Sequence, residues 1–332
     1  MTRSILLLCG GGSCEHEVSL ASAAFLKSQL EKQADFNVIK VEIKSNCWET
    51  SDGHKVTLDI NKQALISDSQ KEIAIDYIVP CIHGYPGETG DLQSLFELSG
   101  IPYLGCGPEA SVISFNKITS KLWYDALDIP NTPYLFLTDD SQSSLLKANQ
   151  AFDKWGKVFV KAATQGSSIG CYSVTNKADL DSAIQSAFTY SHQVVVEQCV
   201  KPRELEVAAY QINGELHISK PSEVIAPDGE FYSYDQKYCA DSHAITEIEA
   251  KGLSAAQQDL IKHYSTKVFT QLNLKDLSRI DFFLTQDNEL YLNEIDTFPG
   301  MTRISMFPKM LENNGHVFHE FLVAAIQNAI KI

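Results

Sequence analysis

The chain has 332 residues, carries 27 Lys and Arg against 42 Asp and Glu for a formal net charge of −15, and is 44% hydrophobic. That composition is globular, and at about 150 residues per domain the length accommodates two domains or three small ones. The acidic excess, without a basic run, argues against nucleic acid as a partner, and apolar stretches such as Ile5 to Cys9 and Phe321 to Ile326 fall far short of the roughly 20 residues that span a membrane.

Ser4 to Cys9 reads as a strand, Gly10-Gly11-Gly12-Ser13 as a tight turn, and the spacing of Ala21/Phe25 and Leu26/Leu30 as a helix. Asn37 to Lys44 and Asp76 to Ile82 read as strands and Asp91 to Ser99 as a helix stopped by Gly100, so the first hundred residues predict a small parallel-sheet domain. Val112 to Leu127 reads as one helix, carrying Lys117 and Lys121 and ending before Ile129-Pro130. Lys157 to Ala162 and Cys171 to Val174 are predicted as an antiparallel strand pair around the Gly/Ser loop Thr164 to Gly170, followed by a helix over Ala178 to Tyr190 and a strand over Val194 to Val200. Glu204 to Ile212 turns at Asn213-Gly214, a favourable hairpin pair. Pro221 to His243 is long, irregular and rich in Tyr, Asp, Pro and Gly, the kind of loop that a compact domain keeps for a task. Ser254-x-x-Gln257 starts a helix through Leu272 with a capping box, and the last helix spans about Val317 to Ile330.

The eight cysteines are scattered with no CxxC and no Cys/His ligand spacing, so neither a disulfide framework nor a zinc site is expected. The N-terminus lacks the small-residue cleavage site of a signal peptide, and the expected location is cytoplasmic. Gly156-Lys157 lacks the glycine spacing and the following Ser/Thr of a P-loop, and the third glycine position of a dinucleotide fingerprint starting at Gly10 holds Glu15. Thr164 to Gly170, after the strand bearing Lys161, is glycine-rich backbone that can approach phosphates with its N–H groups.

Arg279 to Asp296 is two alternating runs around Asp287-Asn288, which reads as a hairpin. With a two-residue turn there, Asp281 lies opposite Glu294 and Arg279 opposite Asp296, sharing one face with Phe283, Thr285, Leu290 and Leu292. Three carboxylates then crowd within roughly 5 to 8 Å of one another. An oxygen-only cluster of this kind points to Mg²⁺ or Mn²⁺, the alternative being a solvated hairpin end.

The segments Glu15-His-Glu-Val-Ser-Leu20, His83-Gly-Tyr-Pro-Gly-Glu-Thr-Gly90, Gly166-Ser-Ser-Ile-Gly170, Tyr234-Asp-Gln-Lys-Tyr238 and Asn293-Glu-Ile-Asp-Thr-Phe-Pro-Gly-Met-Thr302 occur in one order. Through them the chain resembles the D-alanine D-alanine ligases of the ATP-grasp superfamily, from about Ser4 to Met310. The resemblance implies an α/β fold, α+β in part, of three domains: residues 1–107, an N-terminal substrate domain; 108–200, a central domain; and 201–332, a catalytic domain with a lid over about 221–243. ATP would be gripped between the last two. It implies ATP-dependent ligation of two D-alanines through an acyl phosphate, for peptidoglycan precursor synthesis, by a homodimer.

Carried over by position, Glu17 matches the glutamate that anchors the first D-alanine's ammonium, linked through Ser167 to Tyr238, and His83 matches the histidine beside that substrate. Lys117, Lys161 and Ser168 match ATP-phosphate contacts, and Lys237 matches the loop lysine near the γ-phosphate. Glu197, Gln198 and Val200 match the hinge that holds adenine, and Glu204 the glutamate on the ribose. Asp281, Glu294 and Asp296 match the ligands of a pair of Mg²⁺ or Mn²⁺ ions. Arg279 and the Gly300 backbone match the oxyanion donors, and Ser305 the hydroxyl that takes the second substrate's carboxylate. Three residues depart from the family pattern: Asp296 replaces an asparagine, Ala162 a proline and Gln198 a lysine. Two readings stand beside the main one. D-serine or D-lactate could be the second substrate, with Tyr238 speaking against lactate. A nucleotide-binding protein without catalysis is the other, against which Lys161, Lys237, Arg279 and the three carboxylates speak.

Overall fold

The first apolar run forms strand β1, Arg3–Gly10, buried from Ile5 onward as a strand covered on both faces must be. The structure, a computed structural model, describes residues 2–45, 47–225 and 245–330. Helix α1, His16–Leu30, crosses over from β1 to β2, Phe36–Ile43, and β1 pairs in parallel with both β2 and β7, Tyr77–Pro80. To this parallel core the chain adds four short antiparallel strands absent from the sequence reading: β3, Trp48–Thr50; β4, Lys55–Asp59; β5, Ala64–Ser67; and β6, Glu72–Ala74. The order is β6-β5-β4-β3-β2-β1-β7. Helix α2, Asp91–Ser99, stops at Gly100, whose φ of 68° makes it a left-handed C-cap.

The single helix expected over 112–127 is two, α3, Pro108–Phe115, and α4, Lys117–Ala126. Asn116 separates them because its backbone is extended and its side chain accepts the Ile118 N–H, so it caps a new helix rather than continuing the old one. Lys117 thereby becomes the first residue of a helix. The middle sheet is antiparallel throughout, in the order β10-β9-β11-β8, with β8 at Tyr134–Leu137, β9 at Val158–Ala162, β10 at Cys171–Val174 and β11 at Val194–Gln198. Helices α5, Gln142–Trp155, and α6, Leu180–Phe188, cover one of its faces through Phe152, Leu180 and Ile184.

In the third sheet β12, Arg203–Ile212, turns through Asn213 and Gly214, at φ 53° and 83°, into β13, Glu215–Ile218. Its order is β15-β14-β12-β16-β17, with β14 at Ser222–Ile225, β15 at Ile245–Glu247, β16 at Leu277–Leu284 and β17 at Leu290–Asp296. The irregular segment expected from Pro221 thus opens with a strand, and the rest of it, with Lys237 and Tyr238, lies outside the described residues. Helix α7, Ala255–Gln271, has both bonds of the Ser254/Gln257 capping box. Helices α8, Met306–Asn313, and α9, Phe318–Ile330, complete the chain's described elements.

Packing joins the chain's two ends. Phe307, Phe318 and Phe321 of α8 and α9 share a core with Tyr77 of β7, Leu26 of α1 and Tyr210 of β12. Ala110 of α3 and Tyr124 of α4 pack with Phe269 of α7 against Ile280, Phe282 and Leu292 of the third sheet. On the opposite face Ala208 and Tyr210 pack against α8 and α9, while Glu204, Glu206, Arg279 and Asp281 line a cavity. Among the described residues no helix is long and apolar enough to cross a membrane. Because α7 lies on the sheet face away from that cavity, Ser254→Ala should cost about 1 kcal/mol through the lost cap. Calorimetry should show a fall of about 2–4 °C in the unfolding midpoint, with nucleotide binding unchanged.

Candidate active site

The carboxylate hairpin reaches its expected register by an unexpected route. Thr285 N–H donates to Glu289 O at 2.9 Å and Asn288 N–H to Thr285 O at 3.0 Å, with Asn288 at φ 64°, so the loop has three residues rather than two. Next to the loop the pairs are therefore Leu284 with Leu290, Phe283 with Tyr291 and Phe282 with Leu292. A bulge at Asn293 then restores Asp281 opposite Glu294 and Arg279 opposite Asp296. The two departures cancel at the charged end only. Leu290 and Leu292, expected on the carboxylate face, join Ile280 and Phe282 in the core on the other side, and Asn293 is pushed to the cavity wall.

Arg279 holds this end together. Its Nε and Nη2 each donate to Asp281 at 2.8 Å, Nη1 lies 3.5 Å from Asp296, and Nε lies 3.4 Å from Glu206 Oε1 on β12. The sequence reading missed Glu206, although the period of two puts it on the same face as Glu204. Burial, then the nearness of Glu206 and Glu294, pushes the Asp281 carboxyl up to about 8 against the pull of Arg279. Among the described residues no three Asp, Glu, His or Cys side chains are placed to hold a metal ion, and Asp281 is turned to the guanidinium. Asp296 also lies near Glu88, whose carboxyl is raised by burial and then by that neighbour. Glu88 lies within the His83 to Gly90 segment, which carried the signal without pointing to the residue.

The Gly/Ser loop presents its backbone. Ser167 and Ser168 both take positive φ, 49° and 62°, and Gly170 follows at 65°. Two adjacent non-glycine residues in that region cost of order 1–3 kcal/mol each, a cost met where a loop is built for a ligand. Lys117 Nζ pins the loop by donating to Gln165 O at 2.6 Å. Ser167 Oγ donates to Glu15. The carboxylate tied to Ser167 is therefore Glu15, buried just before the first turn of α1, and not Glu17, which is exposed one position into the helix although it too reaches the cavity.

His83 is buried, with Nδ1 3.1 Å from Phe298 O and Nε2 3.1 Å from Ser22 Oγ. A carbonyl can only accept, so the neutral ring carries its proton on Nδ1 and accepts the Ser22 hydroxyl at Nε2. Ser22 Oγ in turn accepts the Met301 N–H at 3.2 Å, which ties α1 to the segment bearing Gly300. Ser305, just before α8, bonds Thr302 Oγ1 at 2.7 Å and accepts Thr302 N–H at 2.9 Å. A Cβ on Gly300 would meet Ser305 Oγ at 3.1 Å, so a larger residue there would push the Ser305 hydroxyl by a few tenths of an ångström.

Glu197 sits between two ammonium groups, 2.8 Å from Lys161 Nζ and 3.4 Å from Lys121 Nζ. Although burial opposes ionisation, the two lysines pull its carboxyl down to about 2, and Glu197 keeps Lys161 raised. Lys121, buried and bonded to Thr132, is lowered by that burial.

A cavity of about 1010 Å³ gathers Glu17, His83, Lys117, Lys161, Ser167, Ser168, Glu204, Arg279, Asp281, Glu294, Asp296, Gly300 and Ser305, with Glu15, Glu88 and Glu206 among its walls. The structure does not bring Glu197, Gln198 or Val200 to that wall.

Family models described as D-ala D-ala ligase N-terminus and C-terminus match residues 4–106 and 122–327. A D-alanine–D-alanine ligase of Vibrio parahaemolyticus is 66% identical over 99% of this chain and 100% of its own. The crystal structure of D-alanyl-alanine synthetase A from Vibrio cholerae superposes with a TM-score of 0.96 at 61% identity, covering 100% of this chain and 99% of that one. A D-Ala:D-Ser ligase from Enterococcus faecalis superposes at 0.88 with 27% identity, over 98% and 99%.

The Glu197→Gln variant should lose about 3 kcal/mol of stability at pH 7, since it leaves two buried ammonium groups uncompensated. A carboxyl lowered to about 2 contributes stability that is present above its ordinary value of 4.5 and is lost as pH falls through the lowered one. The gap between wild type and variant in chemical denaturation should therefore shrink by more than half between pH 7 and pH 3.

Proposed function

The chain belongs to the D-alanine–D-alanine ligase family, and we propose that it joins two D-alanines into D-alanyl-D-alanine with ATP, for peptidoglycan precursor synthesis. The supporting observation is one cavity in which a phosphate-type loop, two lysines, a guanidinium and a carboxylate group face one another. The first D-alanine's carboxylate attacks the γ-phosphorus of ATP, ADP leaves, and the second D-alanine's amine attacks the acyl phosphate and expels phosphate. Protein groups in such a reaction position the reactants and offset charge.

Backbone N–H groups of residues 166–170, with Ser168, Lys117 and Lys161, receive the phosphates. Adenine and ribose are assigned to Gln198, Val200 and Glu204, with Glu197 one step behind them holding Lys161. Glu15 takes the role first given to Glu17, anchoring the first D-alanine's ammonium and passing to Tyr238 through Ser167, with His83 beside it. Arg279 and the Gly300 N–H offset the charge that develops in transfer. Ser305, at the positive end of α8, receives the second substrate's carboxylate. Lys237 and the lid over 221–243 keep the roles that the resemblance implies, as does the division at 107/108 and 200/201.

Three carboxylates, Glu206, Asp281 and Asp296, face a single guanidinium, with Glu294 opposite Asp281 on the next strand, and this hard, oxygen-only excess of negative charge fits Mg²⁺ or Mn²⁺. Asp281, Glu294 and Asp296 would hold the ion once Asp281 leaves Arg279. When bound, it offsets the charge of the ATP phosphates. The use of ATP places the reaction in the cytoplasm, and pairing of two copies is carried over from the family.

Phosphate release with Mg-ATP should require D-alanine and yield its dipeptide by mass, with D-serine and D-lactate as competing second substrates. ATP binding without turnover on any of these substrates would favour the non-catalytic alternative. Arg279→Ala should lower kcat by about 10²-fold or more. Glu15→Gln should raise the KM for D-alanine by about tenfold or more, the value of a hydrogen bond to a charged group, and Glu17→Gln much less. The reverse order would return the anchor to Glu17.

A further inference from the structure

Glu206 is not among the residues that would ligate the cation, yet its surroundings are unusual for a carboxylate. It is only 8% exposed, and Oε2 is buried with no hydrogen-bond partner among the described residues. Its other oxygen, Oε1, lies 3.4 Å from Arg279 Nε. Strand register places Glu206 directly opposite Asp281 and two residues from the partner of Arg279. A buried carboxylate oxygen without a donor is costly, and a group kept in that state is poised for a partner that arrives later.

The partner is already adjacent. Arg279 spends both Nε and Nη2 on Asp281, at 2.8 Å each. A carboxylate with both oxygens on one guanidinium fork keeps only its outer lone pairs for a cation, so fuller ligation by Asp281 draws it away from Arg279. The guanidinium, with 17% of its side chain exposed, would then stand in a buried site without its strongest anion. Glu206 is on the same face, with its nearer oxygen 0.6 Å farther from Nε than the oxygen of Asp281.

We propose that Glu206 is a positioning residue that receives the Arg279 guanidinium when Asp281 turns to the cation, so that Arg279 stays aligned on the transferred phosphoryl group. This rests on the ligase reading, and on Asp281 serving as a cation ligand. The handover removes a conflict between the two roles of one neighbourhood: Arg279 need not be uncovered for Asp281 to be used.

The test is a double-mutant cycle read by Mn²⁺ binding in the presence of ADP, with free Mn²⁺ followed by its electron paramagnetic resonance signal. Glu206→Gln should weaken Mn²⁺ binding about tenfold, within the 10–100-fold range for groups that orient metal ligands. It should lower kcat with little change in the KM for D-alanine, and Glu206→Asp should restore part of both. In an Arg279→Met background, where nothing holds Asp281 back, Glu206→Gln should leave Mn²⁺ affinity unchanged. An equal loss in both backgrounds would mean that Glu206 acts on the cation directly and would overturn the handover, as would unaltered Mn²⁺ binding in the single variant. If Glu206→Gln does not fold, Glu206→Ala carries the same cycle. Wild-type protein that neither binds Mn²⁺ with ADP nor makes dipeptide would sink the ligase reading itself, and the handover with it, an outcome distinct from failure in the variants alone.

Discussion

One guanidinium, buried against carboxylates contributed by three neighbouring strands, is the constraint on which the rest depends. Arg279 meets Glu206 from β12, Asp281 from its own strand and Asp296 from β17. Like charges opposed across a ladder destabilise a sheet, so the strands can sit in this register only with a cation among them. Arg279 is that cation within the protein. It leaves part of the negative charge on this face uncancelled.

A second cation–anion arrangement does comparable work in the middle sheet. Glu197 joins Lys161 on β9 to Lys121 on α4, and so couples the helix that starts at Lys117 to the strand that leads into the Gly/Ser loop. Lys117 then reaches that loop from the other side. Lys161 is thereby held by Glu197, a group that is not itself at the cavity wall. The same principle appears at the substrate end, where His83, Ser22 and Met301 form one chain of hydrogen bonds and Glu15 with Ser167 forms another. Each chain ties the first sheet to a different later segment, so the site exists only when all three sheets are assembled.

Local signals were legible wherever a residue type has a local cause. The stop at Gly100, the capping box at Ser254 and the Asn213-Gly214 turn follow from backbone preferences that act within a few residues. The helix break at Asn116 follows from the same kind of cause but is hidden inside an unbroken apolar pattern. Strands β3 to β6 were not legible, since each is at most five residues long and alternation needs more length to show. The carboxylate register was reached because two departures cancelled: a loop one residue longer than read, and a bulge that adds one residue at Asn293. Leu290 and Leu292 lie between them and show what happens where they do not cancel, since a one-residue slip flips a side chain to the other face.

The order of the motifs, the type of charge available and the family were determined by the sequence alone, because each is a property of residues in line. Which carboxylate meets Ser167 was not. Glu15 and Glu17 are two residues apart in one motif, and only the start of α1 decides that the first turns inward while the second faces out. Nor could the sequence show that Glu206 would share Arg279 with Asp281, that Glu88 would meet Asp296, or that Glu197 would lie behind the cavity rather than on it. Those partners are separated by 36 to 208 residues or more in the cases that matter most, as with Lys161 and Glu197 or Glu88 and Asp296. Contacts of that span are set by how sheets pack, and packing is a sum over the whole core that no local pattern records.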